Sequence, residues 1–169
     1  MKTYERYHPD MQTLHHGFRT EPCFVCGIVN SLPDPPAHIV YEDDSYVAFL
    51  DSYPRQLGYT LVCPKEHRTQ VTADFSLSEY LTIQQLAYHV CEAIREEMDA
   101  ERMYIFTFGS NQGNAHVHWH VVPLPQGTPY DQQQGAAVGW AAGVLRVPEE
   151  DMAAIASRLR KRIEKHVNG

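Results

Sequence analysis

Three histidines recur at every second position in His116-Val117-His118-Trp119-His120, and Val121-Val122-Pro123 follow. In an extended strand successive side chains alternate faces, so the three imidazoles line one face while Val117, Trp119 and Val121 line the other. One face is core and the other is chemistry: a neutral imidazole with a pKa near working pH can attack an electrophile and then leave, or hold a metal. A second pattern stands at Cys23-Phe24-Val25-Cys26, a spacing that serves metal sites and redox dithiols alike. No thioredoxin-like strand and helix surrounds Cys23, so a metal is the stronger reading, and the pair then needs two further ligands from elsewhere. Cys63 and Cys91 fall on a strand and a helical flank and read as small buried hydrophobes.

The elements that must carry these groups follow from periodicity. Ile39-Val40-Tyr41 and Tyr46 to Leu50 read as two strands joined by the acidic turn 42–45, a hairpin closed by Asp51. Tyr59 to Cys63 is a further short strand that ends at Pro64, just before His67. Ser76 and Glu79 form a capping box, and Ile83, Leu86, Ala87, Val90, Ile94 and Met98 recur at helical spacing, which predicts one long amphipathic helix over 77–98. Two more strands are expected over 103–108 and 117–122, separated by the Gly/Asn-rich turn 109–114. A last helix opens at Pro148-Glu149-Glu150-Asp151, with Met152, Ile155, Leu159 and Ile163 on one face and basic residues toward its end. Strands and helices mixed in this order predict an α+β domain on an antiparallel sheet. Residues 1–22 read as an irregular N-terminal arm, and residues 23–169 as a single domain with its core in 23–125 and a C-terminal extension over 126–169.

Composition removes several function classes. The chain has 169 residues, 43% of them hydrophobic and 21% charged, enough for one domain with a proper core. The formal net charge of −7 leaves no basic surplus for a phosphate backbone, so nucleic acid is not the expected partner. The longest nearly apolar stretch, Ala136 to Leu145, is far below the roughly 18 residues of a membrane span. Residues 1–20 lack the apolar run of a secretory signal, and a cytoplasmic location is the expectation.

His116 to Val122 matches in full the signature of the histidine triad (HIT) family, His-x-His-x-His followed by two apolar residues. Phe49-Leu50-Asp51, Pro54, Gly58, Leu61-Val62, Pro64-Lys65 and His67 follow the order of its nucleotide-binding branch, so the resemblance covers about 100 residues from Cys23 to Pro125. It implies a five-stranded antiparallel sheet with a long helix packed on it, to which this chain adds its C-terminal helix. It also implies homodimers, and hydrolysis or transfer of nucleoside monophosphate groups. Substrates of that class include nucleoside phosphoramidates and dinucleoside polyphosphates.

The resemblance also assigns roles. His118 becomes the nucleophile that carries the nucleotidyl group, and His120 a donor to the phosphate or leaving group. Asn111 matches the family's loop asparagine, and Asn114 could contribute beside it. The loop departs from the usual Gly-Gln run before the triad. Asp51, on one strand face with Val47 and Phe49, is expected to accept the ribose hydroxyls while the Phe49 ring packs against the base; the competing role is an aspartate capping the turn before Pro54. Zinc-bearing members complete the cysteine pair with histidines at the positions of His67 and His116, which implies a closed, structural zinc site of Cys23, Cys26, His67 and His116. A full third histidine separates this chain from the uridylyltransferase and phosphorylase branches. The alternative is a nucleotide-binding regulatory or scaffolding protein with little turnover.

Overall fold

The computed structural model describes residues 2–20, 22–31, 37–108 and 116–169. Its elements are β1 (Arg6–Tyr7), α1 (Met11–Thr20), α2 (Phe24–Val29), β2 (Ile39–Glu42), β3 (Tyr46–Leu50), β4 (Thr60–Pro64), α3 (Leu77–Met98), β5 (Ala100–Phe106), β6 (Trp119–Pro125), α4 (Gln133–Val138), β7 (Val144–Leu145) and α5 (Glu149–Asn168). Five of the strands form one antiparallel sheet in the order β2-β3-β4-β6-β5.

Local chemistry accounts for the joints. Asp43 closes the β2–β3 hairpin by accepting the Ser45 and Tyr46 amides on Oδ1 at 2.8 and 2.7 Å. Gly58 enters β4 at φ +84, where a Cβ would also meet Met98 Cγ at 2.9 Å, so only glycine fits this close approach. Helix α3 spans the expected residues and opens with the expected capping box: the Ser76 amide donates to Glu79 Oε2 at 2.7 Å, and the Glu79 amide to Ser76 Oγ at 3.2 Å.

The sheet is covered on both faces. On one side Ile83, Leu86, Val90 and Ile94 of α3, with Ile155, Leu159 and Ile163 of α5, pack against Ala48, Leu50, Val62, Val117, Trp119 and Val121. Each such side chain contributes about 1.5–3 kcal/mol when taken out of water, and this cluster is the main core. On the other side Val47, Phe49, Tyr59, Leu61, Cys63, Val122 and Leu124 meet Val25 of α2 and Ala137 of α4. Coverage of both faces explains why β3 and β4 are buried along their whole length.

The structure departs from the sequence expectations in three places. The described residues of the expected irregular arm carry regular structure: β1 pairs with β7, and α1 follows. Asp10 caps α1 by accepting the Gln12 and Thr13 amides at 3.0 and 3.4 Å, while β1 depends on a partner far away in the chain, Arg6 facing Leu145. The strand carrying the triad begins at Trp119 rather than Val117, because the Val117 amide donates to the Arg68 carbonyl at 2.8 Å. The strand before it runs over Ala100–Phe106 rather than 103–108. The expected Gly/Asn-rich turn at 109–114 lies outside the described residues.

Candidate functional site

The two sequence patterns, 90 residues apart, meet in space. Cys23 Sγ lies 3.3 Å from His116 Nδ1, and Cys26 Sγ lies 3.3 Å from His67 Nδ1 and 3.7 Å from His116 Nδ1. All four donor atoms fall within 4.8 Å of one another, so Cys23, Cys26, His67 and His116 could hold a metal ion. Short helix α2 places the sulfurs: the Cys26 amide donates to Cys23 Sγ at 3.4 Å in the first turn. The buried His116 is held from behind, whereas His67 is exposed. His116 Nε2 donates to the Pro64 carbonyl at 2.9 Å, which leaves Nδ1 bare toward the cysteines. Arg68, next to His67, takes the Val117 amide on its carbonyl and reaches Glu66 and Glu79 with its guanidinium, so one residue ties both ligand-bearing segments to α3.

The electrostatics of this cluster favour a cation. Burial pushes the His116 imidazole down to about 4, so it stands neutral and able to ligate. Burial, reinforced by the neighbouring Cys23 sulfur, pushes the Cys26 thiol up to about 11. The Cys26 thiol therefore resists becoming a thiolate until a cation joins it, and a coordinated thiol is deprotonated outright. Separations of 3.3 and 3.7 Å between sulfur and nitrogen also match ligands about 2.3 and 2.0 Å from a tetrahedral centre. The donor set therefore fits zinc by number, type and spacing.

The other two triad histidines face the opposite side of the chain from Val117, Trp119 and Val121, as the alternation requires, although His116 and His118 precede the strand proper. His118 Nδ1 donates to the His116 carbonyl at 2.7 Å, which leaves the Nε2 lone pair free. Burial lowers its pKa, so the ring stands neutral. The His118 and His120 rings lie 4.8 Å apart at 70°. His120 stacks on Phe106 at 4.8 Å, and Phe108 meets it edge-on. Burial drives the His120 imidazole down to about 2, with His118 and Arg55 acting in the same direction.

Asp51 follows β3, and its Oδ1 accepts the Tyr53 amide at 2.8 Å, the turn contact that the sequence offers as its competing role. Burial raises the Asp51 carboxyl, and the Tyr53 amide, Arg55 and His118 oppose that rise, so the group lies within electrostatic reach of His118. Phe49 is almost wholly buried and meets Phe24 edge-on at 6.3 Å. Phe24, half-buried, in turn meets His118 at 6.0 Å and so bridges the cysteine pair and the triad. Asn111 and Asn114 lie outside the described residues. Phe24, Arg55, Tyr59, Phe106 and Phe108 surround the triad without having been singled out in the sequence. For Phe24 the signal was its place inside Cys-x-x-Cys.

The chain is similar to several known proteins. Residues 33–127 match the family described as HIT domain. The protein named hit from Bacillus subtilis strain 168 is 30% identical over 151 residues, 85% of this chain and 95% of that protein. The adenosine 5′-monophosphoramidase of Schizosaccharomyces pombe is 28% identical over 150 residues, 84% of this chain and 98% of that one. Among solved structures, a Zn-bound histidine triad family protein from Mycobacterium smegmatis superposes with a TM-score of 0.67 at 25% identity, covering 90% of this chain and 99% of its own. The matched segment holds the whole five-stranded sheet, α3 and the three histidines, and on that basis the chain belongs to the HIT domain family.

Proposed function

We propose that the protein is a nucleotide hydrolase or nucleotidyl transferase acting at the α-phosphate of a nucleoside phosphoramidate or dinucleoside polyphosphate. The observation that carries this reading is the bond from His118 Nδ1 to the His116 carbonyl. It holds the ring in the tautomer whose Nε2 lone pair points away from the backbone, which is what in-line attack on phosphorus requires. His118 Nε2 attacks, the leaving group departs, and water then releases the nucleoside monophosphate from a nucleotidyl-histidine. His120 donates to the phosphate or leaving-group oxygens, where negative charge gathers in the transition state. Asn111 and Asn114 add donors from the loop, while Asp51 takes the ribose hydroxyls and Phe49, with Phe24, flanks the base.

Cys23, Cys26, His67 and His116 hold a structural zinc. With its four positions filled by protein it supplies no catalysis; it joins α2 to the segment that delivers His118. Two chains pair as a homodimer. Outer strand β5 leaves Ile105 44% exposed, and Leu77, Leu81 and Tyr88 of α3 are exposed as well, an edge and an apolar face that a second copy covers. Among the described residues no helix is long and apolar enough to cross a membrane, in keeping with a cytoplasmic enzyme. A panel of phosphoramidates, dinucleoside polyphosphates and nucleotide sugars, scored by nucleoside monophosphate release, tests the proposal. Release by wild type and not by His118→Ala supports it; binding without release across the panel contradicts it.

A further inference from the structure

Behind the triad, a buried cation and a buried phenol stand in line with His120. Tyr59 is fully buried, and its hydroxyl lies 2.8 Å from His120 Nδ1. Arg55, 4% exposed, donates to the same hydroxyl from Nη2 and to the Val138 carbonyl from Nη1 at 3.1 Å. Its guanidinium lies between two rings, 4.5 Å from the Tyr59 centroid and 5.0 Å from that of Trp140. One polarity of this chain of bonds gives the phenolic proton an acceptor. A guanidinium only donates, so the phenolic oxygen accepts from Arg55, and the phenolic proton has His120 Nδ1 as its acceptor. Nδ1 is then occupied as an acceptor, and the imidazole's one proton sits on Nε2. That atom is buried and has no hydrogen-bond partner among the described residues.

We propose that Tyr59, held by Arg55, is a positioning residue that locks His120 as the Nε2–H tautomer and presents that proton as a ready donor to the phosphate or leaving group. The proposal rests on the nucleotidyl-transfer reading of the triad and adds to it a division of labour between adjacent rings. His118 is fixed by a carbonyl acceptor with its Nε2 bare, and His120 by a hydroxyl donor with its Nε2 protonated. Two neighbouring imidazoles are thus set in opposite tautomers, one to attack and one to donate. An unpartnered buried donor is costly in the resting protein, and the cost is relieved when an anion arrives. Arg55 points the same way: it forms no ion pair among the described residues, and its buried Nε also lacks a partner. A buried cation beside the triad makes the site attractive to phosphate before substrate binds.

The experiment joins a spectroscopic readout to a kinetic one. Imidazole nitrogen shifts on isotope-labelled protein should show His120 with a bare Nδ1 and a protonated Nε2 in wild type, and a mixture of tautomers in Tyr59→Phe. With adenosine phosphoramidate as substrate, Tyr59→Phe should lose about tenfold or more in kcat, part of the roughly hundredfold or greater worth of acid–base catalysis, with KM little changed. Tyr59→His, which again offers an N–H to Nδ1, should recover part of the loss. A protonated Nδ1 in wild type, or full kcat in folded Tyr59→Phe, overturns the proposal. Should Tyr59→Phe fail to fold, the wild-type tautomer and the kinetics of Tyr59→His decide it. If wild type turns over no nucleotide, the nucleotidyl-transfer reading fails, while the tautomer measurement still decides whether Tyr59 sets His120.

Discussion

His118 Nδ1 lies 2.7 Å from the carbonyl oxygen of His116, whose own Nδ1 faces the two cysteines. One backbone carbonyl thus connects the metal cluster to the ring proposed to attack phosphorus. Any force that holds His116 also sets the tautomer and direction of His118. A zinc ion held by the four residues would therefore steady the His118 ring without touching substrate.

The first prediction concerns that cluster. Purified protein should hold close to one zinc per chain, and Cys23→Ser or Cys26→Ser should lower both zinc content and melting temperature. Structural zinc contributes on the order of 10 kcal/mol to folding in small domains; in a chain with a separate core the loss should be smaller but cooperative. Metal analysis and thermal unfolding of chelator-washed protein measure it, and metal-free protein with unchanged melting contradicts it.

A second prediction addresses the ribose. Asp51→Ala should weaken nucleotide binding by about 1.5–3 kcal/mol, the usual worth of hydrogen bonds to a charged group, while the fold persists. Titration calorimetry with ribo- and deoxyribonucleotides should show the deoxy ligand binding poorly to wild type. Equal affinities would leave Asp51 with only its turn contact to Tyr53.

The third prediction is a pH dependence. Arg68 first, and then the Ser76 hydroxyl and amide, hold the Glu79 carboxyl down from 4.5 to about 2. A carboxylate with a depressed folded pKa adds stability that is present above its ordinary range and lost as pH falls through the folded value. Melting temperatures of wild type and Glu79→Gln should therefore differ most near neutrality and converge as pH falls from 4.5 toward 2. A gap that stays constant across that window would mean the ion pair with Arg68 adds nothing.

The fourth prediction tests pairing. Ile105→Glu places a charge on the open edge of the sheet, so it should convert a dimer into monomers in sedimentation experiments without lowering helix content. A dimer that survives this change uses another surface.

Much of this architecture was legible in the sequence because its signals are local. The Ser76–Glu79 box and the Ile83, Leu86, Val90, Ile94 stripe specify α3 to its ends, and the alternation around Trp119 separates core from chemistry. Pairing signals between distant segments were not legible. Nothing near Arg6 announces Leu145 as its partner, and nothing near Val117 announces the Arg68 carbonyl that delays the start of β6. Arg55 and Tyr59 were passed over for the same reason: a buried arginine reads as a surface residue until Val138, Trp140 and His120 close around it. The Asp10 cap of α1, followed by Met11, Leu14 and Phe18 at helical spacing, was a local signal that was passed over.

The central claim is that turnover passes through a covalent bond between phosphorus and His118. Rapid quenching of wild type with a substrate labelled at the α-phosphate tests it most directly, since a phosphorus–nitrogen bond to imidazole survives base and breaks in acid. The account predicts base-stable, acid-labile label on wild type and none on His118→Ala. Steady turnover with no trapped label, together with inversion of configuration at a chiral phosphorus, would show that water attacks directly and would contradict it.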